Sequence, residues 1–103
     1  MLLGIDWMDP VPGEAWIQRF GAAVEGRRQI LAIHCGHLHR PLATTFRGIP
    51  LGVTPSVAPL VAMDLRPIDK HVPDGRDLIA DEPPTYAIHR WDGATLTLRK
   101  TFA

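Results

Sequence analysis

The feature that most constrains the fold is an apolar run at residues 29–35 (QILAIHC), which ends at Gly36. A nearly continuous apolar run of this length is typical of a strand that is covered on both faces. Pro41 cannot donate to a sheet ladder, so strand pairing should lapse before it. The run therefore predicts a central strand that opens into a loop at residues 36–41.

One amphipathic helix is predicted ahead of this strand, at residues 14–25. Its apolar side chains recur at helical spacing and are expected to form one buried stripe: Trp16, Ile17, Phe20, Ala23 and Val24. Gly26 follows at the position where a left-handed C-terminal cap is favoured. The pattern predicts a helix that packs one face against the sheet.

The remainder of the chain reads as strands and loops. Three strands are expected in the middle, at residues 43–47, 51–54 and 58–65, with a turn at 48–50 between the first two. Residues 66–84 are rich in Pro, Asp and Gly, which predicts a surface loop. Asp92-Gly93 separates apolar runs at 86–91 and 94–102, which predicts a hairpin with a type I′ turn. We expect one unit over residues 1–103, of the α/β (α+β) class, with one main helix and mostly antiparallel strands.

Composition excludes several functional classes. Lys plus Arg is 11 and Asp plus Glu is 11, so the basic excess of a nucleic-acid or anionic-membrane surface is missing. No stretch approaches the roughly 20 apolar residues of a membrane helix, and residues 1–6 lack the basic region of a signal peptide. Cys35 is the single cysteine, which points to a reducing compartment. The expectation is a soluble, cytoplasmic protein that binds neither nucleic acid nor membrane.

Two histidines in the loop after the strand, His37 and His39, form the candidate site. In an extended segment, side chains two positions apart point to the same side. Their imidazoles could then hold one metal ion, or one ion each of a pair roughly 3.5–4 Å apart. Sheets in α/β proteins usually place ligands beyond the carboxyl ends of their strands. From the tripeptide alone, two loop histidines that bond to backbone groups are the alternative.

The residues around this pair resemble the calcineurin-like metallophosphoesterases, in particular the class III cyclic-nucleotide and glycerophosphodiester phosphodiesterase group. The run ILAIHCGHLHRP at 30–41 resembles their final signature, an apolar strand followed by Gly-His-x-His. Three further segments are similar to that group in the same order along the chain: GIDWMD at 4–9, FRGIPLGVTPS at 46–56 and EPPTYAIH at 82–89. The likeness therefore spans nearly the whole chain.

The resemblance implies a metal role for each histidine of the signature. His37 would ligate one ion of a binuclear centre and His39 the other, the ions being Mn, Fe, Zn or similar. The implied fold is the C-terminal half of an α/β/β/α sandwich. The implied reaction is hydrolysis of a cyclic nucleotide or glycerophosphodiester by metal-activated hydroxide. Arg40 could reach a substrate phosphate, with a solvated loop arginine as the alternative.

Other metal motifs of the family are not found in the sequence. The chain contains no asparagine, so the Gly-Asn-His motif cannot be present, and no candidate exists for the bridging carboxylate. Asp69-Lys70-His71 fits Asp-x-His but follows the signature instead of preceding it, and we interpret it as coincidence. We expect this chain alone to bind metal weakly or not at all, and to be catalytically inert.

An uncovered sheet face or edge should make the chain associate with further copies of itself. A non-catalytic oligomerisation or partner-binding module is therefore the alternative function. A histidine-triad hydrolase is disfavoured, because Cys35 occupies the place of the first of three alternating histidines.

The remaining polar residues are expected to be structural. His34 should be buried and hydrogen-bonded, and His89 should be structural in the last hairpin. Ser56 is either part of the pocket or a turn serine that caps its own backbone. A zinc set of Cys35, His37 and His39 is conceivable, although structural zinc usually takes four ligands from two elements.

Overall fold

Short strands in three separate sheets and one helix make up the described chain. The computed structural model describes residues 3–102. The elements are α1 (Ala15–Val24), β1 (Ile33–Cys35), β2 (Leu42–Phe46), β3 (Ile49–Val53), β4 (Leu60–Val61), β5 (Ile79–Ala80), β6 (Thr85–Trp91) and β7 (Leu96–Phe102). Within residues 3–102, β1 and β3 pair in parallel and the other strand pairs are antiparallel. The α+β class predicted from the sequence is confirmed.

Helix α1 lies where the 3.6-residue period predicts it, and Gly26 after it has a φ of 71°. The predicted buried stripe is only partly correct. Ile17 and Val24 are buried, whereas Trp16 and Phe20 keep 48% and 41% of their surface exposed, and Ala23 is exposed as well. The helix therefore packs one edge of its apolar stripe on the sheet and leaves the other edge uncovered.

The three-stranded sheet has the order β1-β3-β2. β1 runs parallel to β3, with Ile33 opposite Leu51 and Cys35 opposite Val53. The prediction of a central strand over 29–35 is wrong in two respects. The strand is three residues long, and it lies at the edge of the sheet with Leu31 before it 49% exposed. Apolar character predicts burial on both sides, but among residues 3–102 only β3 pairs with β1.

The β2–β3 hairpin turns at Arg47-Gly48, one position earlier than predicted. Both residues have positive φ, 51° and 78°, as a two-residue type I′ connection requires. Pro50 lies inside β3 opposite Thr45. It is tolerated because the pairing of β3 with β1 starts only at Leu51, so no ladder bond to β1 is lost there.

The predicted strand at 58–65 shortens to β4, which pairs with β5 from inside the predicted surface loop. The loop between them is closed by Asp64 and Arg76, whose side chains are 17% and 6% exposed. Arg76 donates to the carbonyl oxygens of Arg66 and Pro67 at 2.8 Å each, and it also pairs with Asp74. This loop is therefore ordered by charged groups instead of by an apolar core.

The C-terminal hairpin is confirmed, but its turn differs from the prediction. Trp91 pairs with Leu96, and the Asp92 N–H donates to the Thr95 carbonyl at 3.3 Å, so the turn is centred on Gly93-Ala94 and not on Asp92-Gly93. Of residues 92–95 only Gly93 has a positive φ, 95°, which excludes a type I′ turn. The carboxylate of Asp92 explains the shifted turn, because its Oδ1 accepts hydrogen bonds from the backbone of Ala94 at 2.9 Å and of Thr95 at 2.7 Å.

A single apolar cluster joins α1 to the three-stranded sheet. Its buried members come from the N-terminal segment, the helix, the sheet and the loop after β1: Ile5, Ile17, Val24, Leu38, Phe46, Ile49, Leu51, Val53 and Val61. Among residues 3–102, no helix has the length and apolar character that a membrane crossing requires.

The chain exposes more surface than a free-standing domain of its size. Its accessible surface is 7204 Å², whereas a folded monomer of 11.4 kDa exposes about 5,800 Å². The radius of gyration is 15.6 Å, whereas that of a compact domain of this length is about 13 Å. The shortest dimension of the chain is 15 Å. The excess of about 1,400 Å² is larger than the roughly 800 Å² that each partner buries in a protein interface of standard size.

Candidate metal centre

The loop at residues 36–41 lies at one edge of the three-stranded sheet, together with the segment that follows β3. Because β1 and β3 are parallel, their carboxyl ends meet at the same edge. Thr54, just after β3, is hydrogen-bonded to the end of β1: its backbone N–H and its hydroxyl donate to the carbonyl oxygen of Cys35 at 2.7 and 3.0 Å. The topology therefore places the predicted histidines where parallel sheets usually bind ligands.

Leu38 fixes the loop to the core. Its side chain is 2% exposed and belongs to the apolar cluster. Two backbone hydrogen bonds hold its neighbourhood, from Val61 N–H to the Leu38 carbonyl at 3.1 Å and from Ser56 N–H to the His39 carbonyl at 3.2 Å. The residue between the two histidines is thus an anchor, and the histidines on either side are left nearer the surface.

The backbone of the loop is not extended, in contrast to the premise of the sequence prediction. His37 has a φ of 86° and His39 a φ of 60°, in the left-handed region that side-chain-bearing residues rarely adopt. The alternation rule therefore does not govern the directions of these two side chains. Such backbone conformations persist only where surrounding structure enforces them, and they cluster at functional sites. Here the buried Leu38 and its hydrogen bonds provide that constraint.

The His39 ring is oriented by a backbone carbonyl. Its Nδ1 lies 2.8 Å from the oxygen of Pro59, and a carbonyl oxygen can only accept, so Nδ1 carries the hydrogen. In the neutral ring, Nε2 is then the nitrogen whose lone pair is free for a ligand. A metal-ligating histidine typically donates its other ring N–H to a carbonyl or carboxylate in this manner.

His37 is exposed and lines a pocket of about 310 Å³ with Asp9, Trp16 and Cys35 among its neighbours. Among the described residues that line this pocket, Asp9 alone carries a side-chain carboxylate, which already accepts from the backbone of Leu3 at 2.8 Å and Gly4 at 2.7 Å. Its described contacts order the N-terminal segment.

Arg40 is held by two protein contacts. Its Nε donates to the carbonyl oxygen of Val61 at 2.7 Å and its Nη2 pairs with the Glu82 carboxylate, which leaves the side chain 12% exposed. The arginine thereby ties the loop to β4 and to the lead-in of β6. It is not the solvated arginine of the alternative interpretation, and contact with a substrate phosphate stays a prediction.

Two other proposed ligand sets do not assemble. Among residues 3–102, no three His, Cys, Asp or Glu side chains gather where they could share a metal ion, which argues against a zinc set of Cys35, His37 and His39. Burial also raises the pKa of the Cys35 thiol, which disfavours the thiolate that zinc needs. His71 is exposed, and its backbone N–H donates to the Asp69 carboxylate at 2.9 Å in a local turn.

The surroundings of Ser56 were predicted correctly, and those of His34 were not. Ser56 Oγ accepts from the backbone of Ala58 at 3.0 Å, so the turn interpretation is confirmed. His34 is exposed and not buried. It lies on the edge strand, and its ring contacts the His89 ring with centroids 4.1 Å apart. The burial predicted for His34 assumed a central strand, which β1 is not.

Sequence reasoning missed the role of Pro59. Its contribution is a carbonyl oxygen, and a backbone group leaves no signature in residue identity. The contact of His39 with it depends on the return of the chain from β3 to β4, a tertiary property.

No protein-family model matches the chain, and no solved structure matches it significantly. A curated relative, "Probable glycerophosphodiester phosphodiesterase GpdQ" of Arcobacter nitrofigilis, is 30% identical over 89 residues. The match covers 86% of this chain and 30% of the relative. The chain thus spans about a third of the length of a protein named as a phosphodiesterase, and it resembles that protein over this part.

Proposed function

We propose that this chain is the C-terminal portion of a binuclear-metal phosphodiesterase, in which His37 and His39 each ligate one of two divalent ions. The reaction class is hydrolysis of phosphodiesters, with glycerophosphodiesters or cyclic nucleotides as substrates. The name of the Arcobacter nitrofigilis relative favours glycerophosphodiesters.

The observation that carries this proposal is the second-sphere bond of His39. A histidine whose Nδ1–H is fixed by the Pro59 carbonyl at 2.8 Å presents Nε2 as a ready ligand. The loop that presents it is strained, anchored by Leu38, and placed at the carboxyl edge of a parallel strand pair. A loop with a purely structural role does not need to combine backbone strain, a buried anchor and a position at the carboxyl edge of parallel strands.

The described residues do not fit a two-ion centre by themselves. Two neutral imidazoles leave the charge of hard or borderline ions uncompensated, and no carboxylate joins them among residues 3–102. The remaining ligands must come from polypeptide that corresponds to the unmatched part of the relative. This chain alone is inert in the proposal.

The open surface is consistent with such a missing partner. Trp16 and Phe20 on α1 are 48% and 41% exposed and line an apolar pocket with the edge strand β1, and a covering layer would bury them. The same surface supports the alternative function, a non-catalytic oligomerisation or partner-binding module. In either case, the isolated chain is expected to self-associate through this face or edge.

A reconstitution assay tests the proposal. The chain is mixed with a polypeptide that carries the Asp-x-His, Gly-Asp-x-x-Asp and Gly-Asn-His motifs, in manganese, with bis(p-nitrophenyl) phosphate as substrate. We expect hydrolysis only in the mixture, with loss on His37→Ala or His39→Ala and no change on His71→Ala, the exposed control. Sedimentation of the mixture reports whether the two polypeptides associate.

Each outcome decides between the readings. Association without turnover favours the partner-binding module. Turnover that survives both histidine substitutions overturns the assigned ligands, and turnover by the isolated chain overturns its predicted inertness. A mixture that shows no association and no turnover contradicts the proposal as a whole.

A further inference from the structure

A second histidine pair bridges two sheets that share no strand pairing. His34 belongs to the three-stranded sheet and His89 to the β6–β7 hairpin. Their ring centroids are 4.1 Å apart and their ring planes meet at 67°. Both side chains are exposed, so solvent ions can reach the junction. The pair does not take part in the function proposed above.

Gly52 makes room for the His34 ring. The two residues are partners in the β1–β3 ladder, and a Cβ at position 52 would lie 3.2 Å from Nδ1 and 3.6 Å from Cε1 of His34. The Nδ1–Cε1 edge of the ring therefore lies against the glycine. Nε2 is the nitrogen that does not contact this backbone, and it is the one available to a ligand.

We propose that His34 and His89 form a binding site for a borderline transition ion such as Zn²⁺ or Ni²⁺, which fastens the hairpin to the three-stranded sheet. Neutral imidazole is a preferred ligand of these ions. Two imidazoles on one tetrahedral zinc ion, each at about 2.0–2.1 Å, have ring centres roughly 5 Å apart. The observed pair needs to open by about 1 Å, which exposed side chains on two separate sheets permit.

The surroundings favour an uncharged His34. Desolvation by neighbouring protein atoms, and then the charge of His89, lower the pKa of His34 from its ordinary value of 6.5, which favours the neutral ring near pH 7. Strand alternation puts one charged residue of β7, Lys100, on the face of the hairpin that carries His89. A cation there opposes a bound metal ion, so Lys100→Gln should tighten binding. Water completes the coordination, and affinity is expected to be lower than at a four-ligand zinc site.

The test is made in a His37→Ala/His39→Ala background, which removes the ligands of the proposed catalytic centre. Zinc chloride is titrated into the full chain by calorimetry, and thermal unfolding is followed with and without zinc. We expect one saturable site per chain and a zinc-dependent rise in Tm. Both should disappear with His34→Ala or His89→Ala and persist with His71→Ala.

The result has no neutral outcome. Zinc binding that is absent, or that survives both His34→Ala and His89→Ala, overturns the site and leaves an aromatic contact only. If circular dichroism shows that an alanine variant does not fold, His89→Gln at its exposed strand position replaces it. Lys100→Gln is a second test, because it should tighten zinc binding where the histidine substitutions weaken it. Since the background lacks His37 and His39, failure here does not bear on the proposed phosphodiesterase function.

Discussion

The Nδ1 atom of His39 lies 2.8 Å from the carbonyl oxygen of Pro59, and this contact joins the loop after β1 to the segment that leads into β4. Because the oxygen can only accept, it selects the tautomer of the ring. The geometry that prepares the ring for a ligand is therefore a consequence of how β3 returns to β4, and not of the His-x-His spacing itself.

This tautomer can be measured directly. In ¹⁵N-labelled protein without metal at pH 8, long-range ¹H–¹⁵N correlation should show His39 protonated at Nδ1 and unprotonated at Nε2. The exposed His71 serves as the internal reference for an unconstrained ring. A His39 signal with the proton at Nε2 would contradict the orienting role of Pro59.

Leu38 should be the residue on which the loop most depends for stability. Leu38→Ala removes a side chain that is 2% exposed, and such substitutions cost about 2–5 kcal/mol. Leu31→Ala, at a leucine that is 49% exposed, should change the unfolding free energy by less than about 0.5 kcal/mol. Urea unfolding of both variants makes the comparison, and equal losses would show that Leu38 is not an anchor.

Stability should fall as pH is lowered through the range where His34 titrates. Its pKa is lowered in the folded state from 6.5, so the folded chain binds fewer protons than the unfolded chain and gains stability as pH rises. The contribution is complete above about 6.5 and is lost as pH falls toward the lowered folded pKa. Unfolding with EDTA at pH 5 to 8 should show a shallower slope for His34→Gln than for His71→Gln. Parallel slopes would remove His34 as the cause.

Arg76 should control the order of the loop between β4 and β5. Arg76→Ala removes donors to two carbonyl oxygens and a partner of Asp64 and Asp74, which leaves those acceptors to water. Limited proteolysis should then cut residues 64–77 faster than in the parent chain. Arg66→Ala is the matched control, because it also removes a partner of Asp64 but leaves the two carbonyl bonds of Arg76 in place. Faster cutting in the control alone would reverse the assignment.

Self-association should depend on the open edge of the helix stripe. Phe20 stacks on Phe46 with ring centroids 5.6 Å apart, and with Trp16 they line an apolar pocket of about 340 Å³. Static light scattering should give the parent chain a mass above one 11.4 kDa chain, and the double variant Trp16→Ser/Phe20→Ser a mass closer to it. A monomeric parent chain would contradict the prediction, as would an oligomer that the double variant leaves intact.

The elements that the sequence predicted correctly depend on local chemistry. The spacing of Ile17 and Val24 selects a helix, and Gly26 is suited to the left-handed residue after it. Alternation on either side of Asp92-Gly93 predicts the last hairpin. Its turn was predicted wrongly because the Asp92 carboxylate binds the backbone N–H groups of Ala94 and Thr95. The preference of Asp-Gly for a type I′ turn does not take these side-chain hydrogen bonds into account.

The sequence by itself determined the α+β class, the helix, the hairpins and the position of His37 and His39 just after a strand, because periodicity and turn chemistry act over a few residues. Only the tertiary structure decided that β1 is an edge strand, that His34 meets His89, and that Pro59 orients His39. Those properties depend on which distant segments lie beside one another, and apolar residues predict burial without specifying the partner that provides it.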